Sequence, residues 1–118
     1  MRLNEVTYTD ATPVDSYGPD FFRIGGVLNQ GAVLTGPKGT GSWGGYTDTA
    51  PLLALIDDID VLFLGTGAEI AYIPAALREE LEQAGLGFEV MNSPAACRTY
   101  NVLLSEGRRI ALAALPVV

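Results

Sequence analysis

The chain has 118 residues, 48% of them hydrophobic, with a mean hydropathy of +0.25 and a net charge of -7. That is enough apolar mass for one domain and too little length for two, and it rules out a disordered chain. The acidic balance argues against nucleic-acid binding, because the phosphate backbone would be repelled.

The single cysteine, Cys97, has no partner for an intramolecular disulfide, which fits a reducing compartment. There is no histidine, so the commonest general base and the commonest metal ligand are both missing. The amino terminus carries no signal-peptide pattern, and no apolar run reaches the ~20 residues of a membrane span. The expected address is the cytoplasm, with no direct membrane insertion.

In chain order, residues 3–9 alternate loosely and predict a strand. Residues 10–19 read as a loop. Phe21 to Leu28 predicts one short strand, broken or bulged at Gly25-Gly26, and Asn29-Gln30-Gly31 a hairpin turn into a strand at Ala32–Thr35. Gly36 to Gly45 reads as a turn, a short strand around Ser42–Trp43 and an exposed loop carrying Lys38 and Trp43. Asp48 or Thr49 would cap a helix containing Pro51 and running to Ile56. Val61–Leu64 predicts a buried strand.

Pro74 opens a helix to Ala84, with Leu77 and Leu81 on one face and Gly85 as its stop. Phe88–Met91 is the next strand. Ser93-Pro94 predicts a cap and a third helix to residue 106, and Arg109–Leu115 a last strand buried on both faces. The resulting expectation is one α/β domain over residues 1–118: a Rossmann-like parallel sheet with helices on both faces, joined to N-terminal antiparallel hairpins. Its crevice would lie at the Gly65-Thr66-Gly67 turn, near the carboxyl ends of the strands.

Familiar motifs fail at particular residues. A dinucleotide fingerprint would need glycine where Ile70 stands and an acidic residue where Met91-Asn92 stand. A phosphate loop over Gly36–Gly41 would need lysine and a hydroxyl residue where Ser42 and Trp43 stand. Asp57, Asp58 and Asp60 lack the ordered spacing of a calcium loop. Cys97 has no histidine to activate it. These failures predict no catalytic residues, no cofactor and no metal.

Arg98, Asn101 and Ser105 share a helix face, opposite a core face with Cys97, Tyr100 and Leu104. Arg98 sits where the helix dipole does not favour a cation, so it pairs with Glu69, Asp60 or Glu106, or it meets an anion or partner. Tyr100 and Asn101 are placed to bond backbone at Gly65–Gly67. The crevice and contact candidates are Gly65, Thr66, Gly67, Arg98, Asn101 and Arg108.

Phe22-x-Ile24-x-Gly26, Gly31-x-Val33-Leu34, Trp43, Gly65-Thr66-Gly67, Pro74, Gly85, Gly87, Met91, Arg98-Thr99-Tyr100-Asn101 and Glu106-Gly107-Arg108 together resemble a domain-of-unknown-function family. It is the family that includes NADH:ubiquinone oxidoreductase complex assembly factor three, and the chain looks like a compact prokaryotic member. The resemblance implies a non-enzymatic assembly or scaffold factor with a protein partner, such as a respiratory or membrane-associated subunit. The crevice supports a different class, a small-ligand or nucleotide-binding domain, as the alternative. Homodimerisation through a sheet edge or an apolar patch is compatible with either.

Overall fold

A computed structural model describes residues 11–118, so the strand expected over residues 3–9 lies outside the described residues. Five strands precede the first helix: β1 (Val14–Gly18), β2 (Phe21–Ile24), β3 (Val27–Gln30), β4 (Val33–Gly36) and β5 (Gly39–Ser42). Then come α1 (Ala50–Leu53), β6 (Val61–Gly65), α2 (Ala75–Ala84), β7 (Phe88–Met91), α3 (Ser93–Ser105) and β8 (Ile110–Ala114).

The strands form two sheets, β1-β2-β3 and β5-β4-β8-β6-β7. In the larger sheet β7, β6 and β8 run parallel, whereas β4 lies antiparallel to both β8 and β5. The larger sheet is therefore mixed, the expected parallel strands being extended by an antiparallel hairpin. The β4–β5 hairpin has closed one flank of the parallel core with antiparallel pairing.

At Gly25-Gly26 the strand is broken, not bulged. Both residues have positive φ, 57° and 78°, and they form a two-residue turn that separates β2 from β3 rather than a bulge in one strand. Such turns need positive φ at both central positions, which two glycines supply without steric cost. The turn after β3 makes no hairpin, because among the described residues β3 pairs only with β2 and β4 belongs to the other sheet.

Alternation along the central strands divides the interior into two layers. Leu62 and Leu64 of β6, with Ala111 and Ala113 of β8, pack under Leu52 and Leu55, Leu77 and Leu81. Phe63, Ile110, Leu112 and Ala114 face the other way, against Ala96, Cys97 and Tyr100 of α3 and against Val14, Phe22 and Ile24 of the small sheet. Helices therefore cover both faces, and the small sheet shares one of them with α3. All five residues of β8 are buried, as a central strand sandwiched between two layers requires. Each fully buried Leu or Phe in these layers contributes about 1.5–3 kcal/mol of transfer free energy.

Trp43 is a core residue, 4% exposed, and not part of a surface loop as expected. Its indole N–H donates to the Asp48 carbonyl at 3.0 Å, and Tyr46 meets its ring edge-on. Trp43 emission will therefore be blue-shifted and shielded from iodide in the native protein, and will shift red on unfolding. A native spectrum like that of free tryptophan would contradict this packing. Among the described residues, no helix is long and apolar enough to cross a membrane.

Candidate functional site

The end of β6 carries the glycines on which the expected crevice rests. Gly65 passes so close to the start of α3 that a Cβ there would lie 2.7 Å from Ser93 Oγ and 3.0 Å from Ala114 Cβ. The Ser93 hydroxyl accepts from Gly67 N–H at 2.9 Å and donates to the Leu115 carbonyl at 2.6 Å. Main-chain bonds continue the same knot: Ser93 N–H to Gly67 O, Leu115 N–H to Gly65 O, and Thr66 N–H to Met91 O. Thr66 Oγ1 closes the loop by donating to Glu69 O at 2.7 Å.

Ser93 thus fastens the ends of β6 and β8 to the start of α3, and the space expected as a crevice is filled by the chain itself. This also moves the helix cap. Ser93 is committed to the turn, and Asn92 caps α3 by accepting from Ala95 N–H at 2.8 Å. Ser93, Ala95 and Ala96 N–H are all engaged within the chain, so these first-turn donors are not left for an anion. The nucleotide-binding alternative gains no support from this helix start.

The other candidates separate. Arg98 is exposed on the first half of α3. Asn101 holds β1, its side-chain amide accepting from Val14 N–H and donating to Val14 O, both at 2.8 Å. The buried Tyr100 hydroxyl donates to Thr12 O at 2.9 Å. These two side chains therefore secure the small sheet, not the Gly65–Gly67 turn as expected. Arg108 follows the helix stop at Gly107, and its N–H donates to Leu103 O. A helix of 13 residues is ~20 Å long. Arg108 consequently lies at the far end of α3 from Gly65, Thr66 and Gly67.

Charges near Asp57–Asp60 are neutralised from strand ends. Arg109 pairs with Asp60 at 3.1 Å, and Lys38 with Asp58 at 3.5 Å. Asp60, an expected partner of Arg98, is thus engaged by Arg109. Among the described residues, no three acidic or cysteine side chains gather as metal ligands.

Cys97 is buried, and desolvation pushes its thiol up to about 12 despite the neighbouring Arg98 charge. It should react with a thiol reagent at neutral pH only as fast as the protein opens, and fully in denaturant. Rapid labelling of the native protein would show that the α3 packing is wrong.

One feature was missed from the sequence. The link from β6 to α2 exposes Ile70 (65%) and Tyr72 (97%) beside Arg78 and Val90, around a cleft of about 470 Å³. The signal was an apolar run, Ile70-Ala71-Tyr72, sitting between a glycine turn and a helix start.

The sequence profile of a family described as Protein of unknown function (DUF498/DUF598) matches residues 14–115. An uncharacterized protein of Rhodobacter capsulatus is 44% identical over 117 residues, covering 99% of this chain and 94% of that protein. NADH dehydrogenase [ubiquinone] 1 alpha subcomplex assembly factor 3 of Danio rerio is 37% identical over 112 residues. That match covers 89% of this chain but only 64% of the fish protein, so the chain spans less than two thirds of it. Among solved structures, that of an outer membrane protein from Bartonella henselae superposes with a TM-score of 0.83 at 31% identity. It covers 91% of this chain and 96% of that one.

Proposed function

Because the chain belongs to the family of proteins of unknown function DUF498/DUF598, we propose that it is a non-enzymatic assembly or scaffold factor acting through a protein partner. The supporting observation is the 37% identity, over 89% of this chain, to a protein named as a complex I assembly factor. The partner in this reading is a respiratory or membrane-associated subunit, met from the cytoplasm.

In this reading Arg98 is a contact residue. Gly65, Thr66, Gly67 and Asn101 shape the surface around it without touching the partner, and Arg108 and Lys38 lie outside the contact. Affinity capture of the tagged protein from its native cells, in detergent that preserves membrane complexes, should recover respiratory or other membrane subunits. Arg98→Ala should weaken that recovery while leaving the melting temperature unchanged, since the side chain is exposed. Capture of nothing above an untagged control would overturn the reading.

A further inference from the structure

We propose that the free edge of β7, with the cleft beside it, receives an extended apolar segment of a partner protein flanked by basic residues. The proposal rests on the assembly reading above and names the kind of segment the protein would hold.

β7 is the last strand of the larger sheet, pairing only with β6 among the described residues. The Gly87 and Met91 carbonyls accept from Leu62 and Thr66 N–H, so they point toward β6. Alternation then turns the N–H and C=O of Phe88 and Val90 to the open side. These are two donors and two acceptors spaced to pair with an added strand.

Side-chain recognition lies next to this ladder. Val90, Ile70, Ala71 and Tyr72 line the cleft, and Arg78 forms its wall with its guanidinium 5.3 Å from the centre of the Phe88 ring. An apolar side chain on the added strand would cover Tyr72, which at 97% exposure has little contact with its own chain. Aromatic residues so placed are common anchors of interfaces.

Charge selects the occupant. Arg78 is paired with Glu82, while Glu69 and Glu79, each next in the chain to a residue lining the cleft, are exposed with no ion pair to another described residue, and Glu89 is exposed on the opposite face of β7 from Val90. A segment with lysine or arginine beside its apolar residue complements this rim. A second copy does not, because antiparallel β7–β7 pairing would bring two Glu89 side chains and two chains of charge -7 together.

The test uses the full chain, labelled with 15N, and two synthetic strands of about nine residues, one alternating lysine with valine and the other glutamate with valine. The lysine strand should shift the Phe88 and Val90 amides and bind at least roughly tenfold more tightly than the glutamate strand at low salt, an advantage that shrinks as salt rises. Val90→Pro removes an outward N–H without touching the β6 ladder, and Tyr72→Ala removes an exposed ring, so both variants should stay folded. Each should weaken binding roughly tenfold or more. Equal binding of the two strands, or shifts that map away from β7, would overturn the proposal. So would a wild-type dimer in sedimentation that Val90→Pro dissociates, since a second copy would then own the edge. If both variants capture the cellular partner as wild type does, the assembly reading survives and this edge does not.

Discussion

Gly65→Ala is expected to destabilise the protein by about 2–3 kcal/mol and to lower its Tm by roughly 10 °C. The added methyl would sit 2.7 Å from Ser93 Oγ and 3.0 Å from both Ser93 Cα and Ala114 Cβ. One of these is backbone at the start of a helix and another is a fully buried central strand, so neither can swing away. Moving Ser93 would also break the bonds it makes to Gly67 and Leu115. Gly41→Ala is the matched control: a Cβ there meets nothing within 4 Å, and Gly41 has no positive φ. It should leave Tm unchanged or slightly raised. Equal melting of the two variants would mean that the junction of β6, β8 and α3 is loose.

The second large effect is at Tyr100, which is fully buried between α3, the larger sheet and the small sheet. Tyr100→Ala should cost about 3–5 kcal/mol, a large share of the ~5–15 kcal/mol that holds a domain of this kind together. Tyr100→Phe keeps the ring and removes only the hydroxyl, with its bond to Thr12 O and its interaction with Thr35, so about 1 kcal/mol is expected. The pair separates packing from hydrogen bonding in denaturant melts. Near-equal losses would show that the hydroxyl, not the ring, holds the small sheet in place.

Tyr100 also gives alkaline stability a direction. Burial pushes its phenol from 10.0 up to about 12, opposed by a hydrogen bond with Thr35. The unfolded chain therefore loses this proton first as pH rises. The stabilising contribution is complete below pH 10.0 and is lost progressively between there and about 12. Cys97, raised from 9.0 to about 12, acts with the same sign over a wider span. Tyr100→Phe should flatten the fall in stability above pH 10.0, as read by urea melts across that range. An unchanged slope would assign the alkaline loss to other groups.

The elements whose shape is set by neighbours in the chain were legible from residues alone. α2 follows from Pro74, the Leu77–Leu81 spacing and Gly85, and the structure bounds it at Ala75–Ala84. β6 and β8 follow from apolar runs too short for helices. The α3 cap misled, because Ser93 is as good a capping residue as Asn92 when only local chemistry is weighed. Its hydroxyl is instead engaged by Gly67 and Leu115, respectively 26 and 22 positions away. Asn101 misled in the same way: its partner Val14 is 87 residues distant, and helix-face geometry carries no record of it.

The candidate site was less legible than the fold. Gly65-Thr66-Gly67 signals a close approach, but the same signal serves an open crevice and a packed junction. Only the position of Ser93 decides between them. Trp43 sits among glycines that read as a loop, yet Asp48 and Tyr46 close over it.

By itself the sequence determined a single acidic α/β domain, the two central strands, the long helices and the family. Those depend on local periodicity, chain stops and composition, all of which are written in consecutive residues. Tertiary structure alone decided the mixed order of the larger sheet, the closing of the expected crevice by Ser93, and the exposure of β7 beside Tyr72. Each depends on which distant segments pair, and hydrophobic pattern specifies that a face is buried without specifying what buries it.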